Sequence, residues 1–187
     1  MGDRMFVAVV PPEPVREHLA DFLEARPGQR WTDPAQWHVT LAFMASVDAH
    51  RVDDLVERLA TKAAKRRPFS VSLAGAGAFP DPIRARVLWL GVDTAGDDTL
   101  AGLAQGARAA AAKVGAPPDG ARFTAHLTLA RLRPPVEATR WLRILDTYRS
   151  PNWWVESIEL VGSHLGQGPA GRPRYETVAQ LPLGGAR

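Results

Sequence analysis

The pattern of apolar and polar residues predicts strands and helices along the whole chain. Short apolar or alternating runs predict seven strands, at residues 5–10, 37–44, 69–73, 84–92, 122–131, 153–161 and 174–181. Apolar residues at helical spacing predict a helix that begins near Val15 and stops before Pro27, and three more over 48–67, 97–114 and 136–148. Residues 75–82, rich in glycine and proline, are expected to separate two of the strands.

The order of these elements favours an α+β fold over a doubly wound parallel sheet. Short connections rich in glycine and proline join several neighbouring strands, and such connections allow antiparallel pairing. No glycine-rich phosphate loop of the P-loop or dinucleotide-binding type follows a strand. We expect residues 1–187 to form one compact domain.

Composition narrows the chemistry available to the chain. With 187 residues, 45% apolar and 23% charged, it has the mixture of a globular protein. The 23 basic against 20 acidic residues give a formal charge of +3, which permits a phosphate-bearing partner. The absence of cysteine excludes a disulfide scaffold, a thiolate zinc site, an iron–sulfur cluster and a cysteine nucleophile. Catalysis would have to use histidine, carboxylates, hydroxyls or arginine.

Location is predicted from two absences in the sequence. Residues 1–14 lack the charged, long apolar and small-residue parts of a signal peptide. No run of about 18 apolar residues, as a membrane span requires, occurs anywhere. We therefore expect a cytoplasmic protein without a membrane partner.

A short internal repeat is the most informative feature. The sequence H-x-T-L-A occurs at His38 and again 88 positions later at His126. In each copy the two-residue period of a strand places the histidine and the threonine, Thr40 or Thr128, on one face, while the intervening residues enter the core. Either histidine alone fits a structural role, but the duplication favours catalysis.

Two such strands facing each other would form a site for cleaving a phosphodiester. Two imidazoles can act as base and acid near neutral pH, and two hydroxyls can hydrogen-bond an anionic oxygen. A metal hydrolase is disfavoured, because no third histidine or closely spaced carboxylate accompanies either motif. We therefore expect no metal and no cofactor.

The chain resembles the two-histidine (2H) phosphoesterases, and within them the bacterial and archaeal RNA 2′,3′-cyclic phosphodiesterases, once described as 2′–5′ RNA ligases. Besides the two motifs, the resemblance rests on segments in the family's order and spacing, at residues 4–9, 30–31, 75–79 and 86–92, and on Arg131, Ser163 and Tyr175. The chain departs from the family at Met44-Ala45, where Leu-Gly is frequent, and at Ala125, where proline is usual.

The resemblance implies a bilobal fold and a division of roles. Two antiparallel sheets related by a pseudo-twofold axis would carry helices on their outer faces and enclose a central cleft. His126 would be the proton acceptor and His38 the proton donor, with Thr40, Thr128 and Arg131 binding the phosphate. Strict alternation would point Arg131 away from His126, so its role requires the strand to bend or to end there.

The resemblance also implies the substrate. We expect RNA ending in a 2′,3′-cyclic phosphate, or a cyclic nucleotide, to be hydrolysed to a 2′-phosphate by a monomer, with 2′–5′ ligation as the reverse reaction. Phe6, Trp31 and Tyr175 are candidates for stacking on a base, although Phe6 also fits the core. Two alternatives stay open: a phosphodiesterase for an ADP-ribose cyclic phosphate or a 2′–5′ oligonucleotide, and an RNA-end-binding module with incidental turnover.

Overall fold

A computed structural model describes residues 2–94, 99–118, 120 and 122–185. The strands are β1 (Asp3–Val9), β2 (Val39–Val47), β3 (Phe69–Phe79), β4 (Ala85–Asp93), β5 (His126–Val136), β6 (Trp153–Val155), β7 (Ser157–His164) and β8 (Arg174–Pro182). The α-helices are α1 (Glu13–Glu24), α2 (Val52–Ala63), α3 (Thr99–Lys113) and α4 (Thr139–Leu145). The fold is α+β, as predicted.

The strands form a curled antiparallel sheet in the order β6-β3-β4-β5-β2-β1-β7-β8. Between β5 and β2 the register joins one pair of residues, Val39 and Leu127, whereas neighbouring strands elsewhere pair over several residues. The sheet therefore consists of two four-stranded halves: the first half, β2-β1-β7-β8, and the second half, β5-β4-β3-β6. They correspond to the two predicted lobes.

The chain crosses between the halves where the sequence predicts one continuous strand, 153–161. Glu156 interrupts this run, and its two parts pair with different strands. β6 pairs with β3 in the second half, whereas β7 pairs with β1 and β8 in the first half. A local pattern of alternation does not encode this change of partner.

The helices cover the sheet with the apolar stripes that their spacing predicts. Leu19 and Leu23 of α1 and Leu55 and Leu59 of α2 are buried in a core that also includes the small residues of α3. α2 and α3 pack together and against the first half of the sheet, and α4 packs on β3 of the second half. Both motif strands thus have an apolar side fixed by the core.

The predicted loop at 75–82 is wrong over its first five residues, because β3 continues to Phe79. Gly75 has φ +77° and lies at a register shift between β3 and β4, where a glycine relieves strain. A Cβ at Gly77 would overlap the indole ring of Trp89. These glycines permit a bulge and a close ring contact within a strand.

Several other predicted elements have different ends. β2 begins at Val39 rather than 37, so that His38 directly precedes the strand, and α2 is confined to Val52–Ala63. β5 begins at His126 rather than 122 and continues past residue 131 to Val136, where it pairs with Ala85 of β4. The helix predicted over 136–148 is confined to Thr139–Leu145, and Val136 belongs to β5 instead. Residues 97–98 of the helix predicted over 97–114 lie outside the described residues.

Candidate active site

The junction of the two sheet halves brings the two histidine motifs together. Val39 pairs with Leu127, and each directly follows a motif histidine. The histidines and threonines of both motifs line one open cleft of about 630 Å³, while Val39 and Leu127 are fully buried on the opposite side of the strands. His38, Thr40, His126 and Thr128 therefore share one site, as the repeat predicts.

Matching hydrogen bonds fix the two imidazoles. Nδ1 of His38 donates to the carbonyl oxygen of Gln36 at 2.7 Å, and Nδ1 of His126 donates to that of Thr124 at 2.8 Å. Because a carbonyl only accepts, the proton of each neutral ring lies on Nδ1. Nε2 of each neutral ring can therefore accept a proton. Nε2 of the protonated ring can donate one.

Arg131 reaches the cleft because β5 contains a bulge. Trp89 pairs with Thr128 but Leu88 pairs with Ala130, so β5 has one extra residue at this point. The extra residue reverses the alternation and returns Arg131 to the face of His126. Arg131 lines the cleft. The bulge is the bend that the predicted role of Arg131 requires.

Aromatic rings hold both histidines in place. Phe6 stacks on His38 with ring centroids 4.5 Å apart and an interplanar angle of 24°, and Tyr175 meets His38 edge-on at 5.5 Å. On the other side Phe79 contacts His126 edge-on at 5.0 Å, and Trp89 lies 5.9 Å away. These contacts restrict the imidazoles without occupying the hydrogen bonds of their Nδ1 atoms.

The site favours neutral imidazoles in the substrate-free protein. Burial lowers the pKa of His38 from 6.5 to about 4, assisted by the charges of Arg131 and His126 and opposed by the hydrogen bond to Gln36. Burial and Arg131 also lower the pKa of His126, against the hydrogen bond to Thr124. Both rings therefore start as Nε2 acceptors, and an anion in the cleft would favour their protonation.

The lining of the cleft is strongly basic. It includes Arg4, Arg30, Arg131, Arg133 and Arg172 and, among the described residues, no Asp or Glu. Asp33 lies beside the lining, with a carboxylate oxygen 3.8 Å from Nη1 of Arg172. This concentration of guanidinium groups suits an anion with several phosphates.

The three predicted stacking residues have different environments. Trp31 and Tyr175 are half-buried and line the cleft, and Trp31 is held by an edge contact with Trp141 at 5.3 Å. Phe6 is only 4% exposed, belongs to a small buried cluster and does not line the cleft. The burial of Phe6 favours the core role that the sequence also allows, and its ring supports His38.

Sequence reasoning missed Gln36 and several of the arginines. Gln36 supplies the carbonyl that receives Nδ1–H of His38, and its Nε2 donates to the carbonyl of Pro173 at 2.8 Å. The sequence could have predicted that Arg133 lines the cleft, because it lies two residues after Arg131 and so shares the same face of the strand. Arg4 and Arg172 reach the cleft from β1 and from the β7–β8 connection, and local spacing gives no sign of either.

Residues 2–94, 99–118, 120 and 122–185 contain no group of three or more His, Asp or Glu placed to hold one metal ion. Over the same residues no helix is both long and apolar enough to cross a membrane.

Two sheet halves that each contribute an H-x-T motif to one cleft define a phosphoesterase of the two-histidine class. The family model described as LigT like phosphoesterase matches residues 9–89 and 90–170, one motif in each match. The chain therefore belongs to this family.

Known proteins resemble the chain over most of its length. A Geobacillus stearothermophilus protein named RNA 2′,3′-cyclic phosphodiesterase is 32% identical over 89% of this chain, which spans about half (51%) of that relative. A protein of the same name from Aquifex aeolicus is 29% identical over 91% of this chain and 90% of its own length. The crystal structure of E. coli LigT complexed with 3′-AMP has a TM-score of 0.77 and 26% identity, covering 99% of this chain and 100% of that one.

Proposed function

We propose that this protein hydrolyses the 2′,3′-cyclic phosphate end of RNA to a 2′-phosphate without a metal ion. The observation that carries the proposal is the matched pair of hydrogen bonds from Nδ1 of His38 and of His126 to backbone carbonyls. These bonds leave Nε2 of both rings available for proton transfer in the same basic cleft. The relatives named RNA 2′,3′-cyclic phosphodiesterase and the 3′-AMP complex of E. coli LigT support this choice of substrate.

The reaction is an attack of water on the cyclic phosphorus. Nε2 of His126 removes a proton from the water as the new P–O bond forms. The P–O3′ bond breaks, and Nε2 of His38 gives its proton to O3′, so the products are a 3′-hydroxyl and a 2′-phosphomonoester. A 5′-hydroxyl of a second RNA in place of water would give a 2′–5′ phosphodiester, which is the ligation.

The hydroxyls of Thr40 and Thr128 and the guanidinium of Arg131 hold the non-bridging oxygens. Negative charge grows on these oxygens in the transition state, so donors already placed there lower the barrier. All three residues line the cleft on the faces of the two histidines. The negative charge of the substrate also raises the imidazole pKa values, so His38 acquires its proton in the complex.

The test is hydrolysis of nucleoside 2′,3′-cyclic phosphates and of a short RNA with a cyclic end, in excess chelator, with the product isomers resolved. We expect only the 2′-phosphate, and a loss of about a thousandfold in both His38→Ala and His126→Ala. Full activity of either folded variant, or dependence on added metal, would overturn the mechanism.

The same assay separates the alternatives. Faster turnover of an ADP-ribose cyclic phosphate or a 2′–5′ oligonucleotide would reassign the substrate. Tight binding of the RNA end with no hydrolysis by folded protein would identify a binding module. An RNA with a 5′-hydroxyl added to the reaction reports ligation, and the 2′–5′ linkage of the product identifies it.

A further inference from the structure

The first half of the sheet repeats the bulge that exposes Arg131, but with a different residue after it. In β2 and β1, Ala8 pairs with Thr40 and Val7 with Ala42, so β2 has one extra residue after Thr40. β5 has its extra residue after Thr128. The residue five positions after the histidine is Arg131 in β5 and Phe43 in β2. Across the pseudo-twofold axis, Phe43 therefore stands where a second arginine would stand.

Arg4 supplies the missing cation. Its guanidinium carbon lies 4.3 Å from the centroid of the Phe43 ring, and Arg4 lines the cleft. Stacking fixes the plane of the guanidinium and leaves its N–H edge free for two oxygens of an anion such as a phosphate. Among the described residues no carboxylate forms an ion pair with Arg4, whereas Arg172 faces Asp33. Arg4 is thus oriented by a ring and open to a ligand.

The position of Arg4 differs from that of Arg131 relative to the histidines. The charge of Arg131 acts on both His38 and His126. The charge of Arg4 acts, together with that of Arg131, on the hydroxyl of Tyr175. β1 aligns Met5 with Gly162 of β7, which sets Arg4 beside Ser163, the residue paired with Tyr175. Arg4 therefore lies on the Tyr175 side of the cleft, next to the pair of Ser163 and Tyr175.

We propose that Arg4, held over Phe43, binds the phosphodiester that links the terminal nucleotide of the RNA to its 5′ neighbour. This inference rests on the proposed function, in which Arg131 and the two threonines take the reacting phosphate. In an RNA strand the next phosphate is one nucleotide away, and a guanidinium outside the catalytic group can reach it. The protein would then prefer an oligonucleotide end to a cyclic mononucleotide.

The test measures kcat/KM for two dinucleotides with a 2′,3′-cyclic end, one with an ordinary phosphodiester linkage and one with a neutral methylphosphonate. We expect the wild type to prefer the charged linkage by about tenfold or more. The preference should fall to about twofold or less in Arg4→Gln and to an intermediate value in Phe43→Leu. Arg140→Gln, which removes an equal charge outside the cleft, should keep the wild-type preference.

An equal preference in Arg4→Gln and in the wild type would overturn the inference, and so would a wild type indifferent to the charge of the linkage. Failure of the wild type to hydrolyse any cyclic end is a separate result, against the proposed function. In that event, calorimetric binding of a dinucleotide 2′-phosphate still tests Arg4. Arg4→Gln should weaken binding of the charged linkage about tenfold and leave the methylphosphonate unaffected.

Discussion

Val39 and Leu127 form the register pair that joins the two halves of the sheet, and each directly follows a histidine of the cleft. An antiparallel pair has a local twofold axis, so His38 and His126 take equivalent positions about this junction. Their hydrogen bonds to Gln36 and Thr124 are equivalent too. The two imidazoles therefore present Nε2 to the cleft in the same way, and the proposed mechanism assigns the acid role to His38.

A substrate with sulfur in place of O3′ identifies the acid. A thiolate leaves with little help from a proton, since the pKa of a thiol is several units below that of an alcohol. With the ordinary substrate both alanine variants should be slow. With the 3′-thio substrate His38→Ala should approach the wild-type rate to within about tenfold, while His126→Ala stays slow. The measurement is the initial rate of the wild type and of both variants on each of the two substrates, and the opposite pattern would make His126 the acid.

The pH dependence of kcat/KM follows from the lowered imidazole pKa values. One ring must be protonated and the other neutral, and the pKa of His38 is about 4 in the free protein, with that of His126 also below 6.5. We expect a bell with its maximum on the acid side of 6.5, falling about tenfold per unit on its alkaline limb. A maximum above pH 7 would contradict the neutral state of both rings.

Arg131 should affect both binding and proton transfer. Arg131→Gln removes a charged hydrogen-bond donor, so kcat/KM should fall about ten- to a hundredfold, and Arg131→Lys should recover part of the loss. Because the charge of Arg131 lowers the pKa of both histidines, its removal should raise them and move the pH optimum upward. Histidine titrations by NMR measure this shift, and Arg140→Gln is the charge-matched control.

An unchanged pH optimum in Arg131→Gln, together with unchanged kcat/KM, would place Arg131 outside the reaction. The lysine variant adds a geometric comparison, since it keeps the charge but not the planar fork. A lysine variant as active as the wild type would show that charge alone matters.

Phe6 should act through His38. Phe6→Leu removes the stacked ring, so the imidazole becomes better hydrated and the pKa of His38 should rise toward 6.5. Because the ring also holds the imidazole in place, kcat should fall. Phe22→Leu is a matched control, because Phe22 packs on Tyr148 instead of on either motif histidine. A pKa of His38 that moves equally in both variants would argue against a specific role for the stack.

The same pKa shift predicts a stability difference. Between about pH 4 and 6.5 the unfolded chain protonates His38 while the folded chain does not, so the free energy of unfolding falls as pH decreases. His38 alone contributes at most about 1.4 kcal/mol per pH unit over this range. Denaturant unfolding of the wild type and of His38→Gln at several pH values measures it, and the variant should show the smaller slope. Equal slopes would contradict the shifted pKa.

Local sequence patterns account for the elements and for the central residues of the site. The two-residue period of a strand places each motif histidine and its threonine on one face, and the structure puts all four on one cleft. Helical spacing identifies Leu19, Leu23, Leu55 and Leu59 as core residues, and all are buried. These features depend on neighbours within a few residues, so the sequence displays them directly.

Contacts between distant segments decided the rest. Glu156 divides one predicted strand because its two sides pair with different halves. Gly77 is a strand residue because it pairs with Trp89 of β4, whose ring leaves no room for a side chain there. The bulge that turns Arg131 toward the cleft depends on the register of β5 with β4, and the bulge that places Phe43 under Arg4 depends on the register of β2 with β1.

The sequence by itself determined the α+β class and the two H-x-T motifs. The tertiary structure decided which other residues join them: Phe6 beneath His38, Gln36 at its Nδ1 and Arg4 over Phe43. The physical reason is the range of the interactions. Periodicity is a property of adjacent residues, whereas strand pairing brings together segments far apart in the chain, and no local pattern records which segments meet.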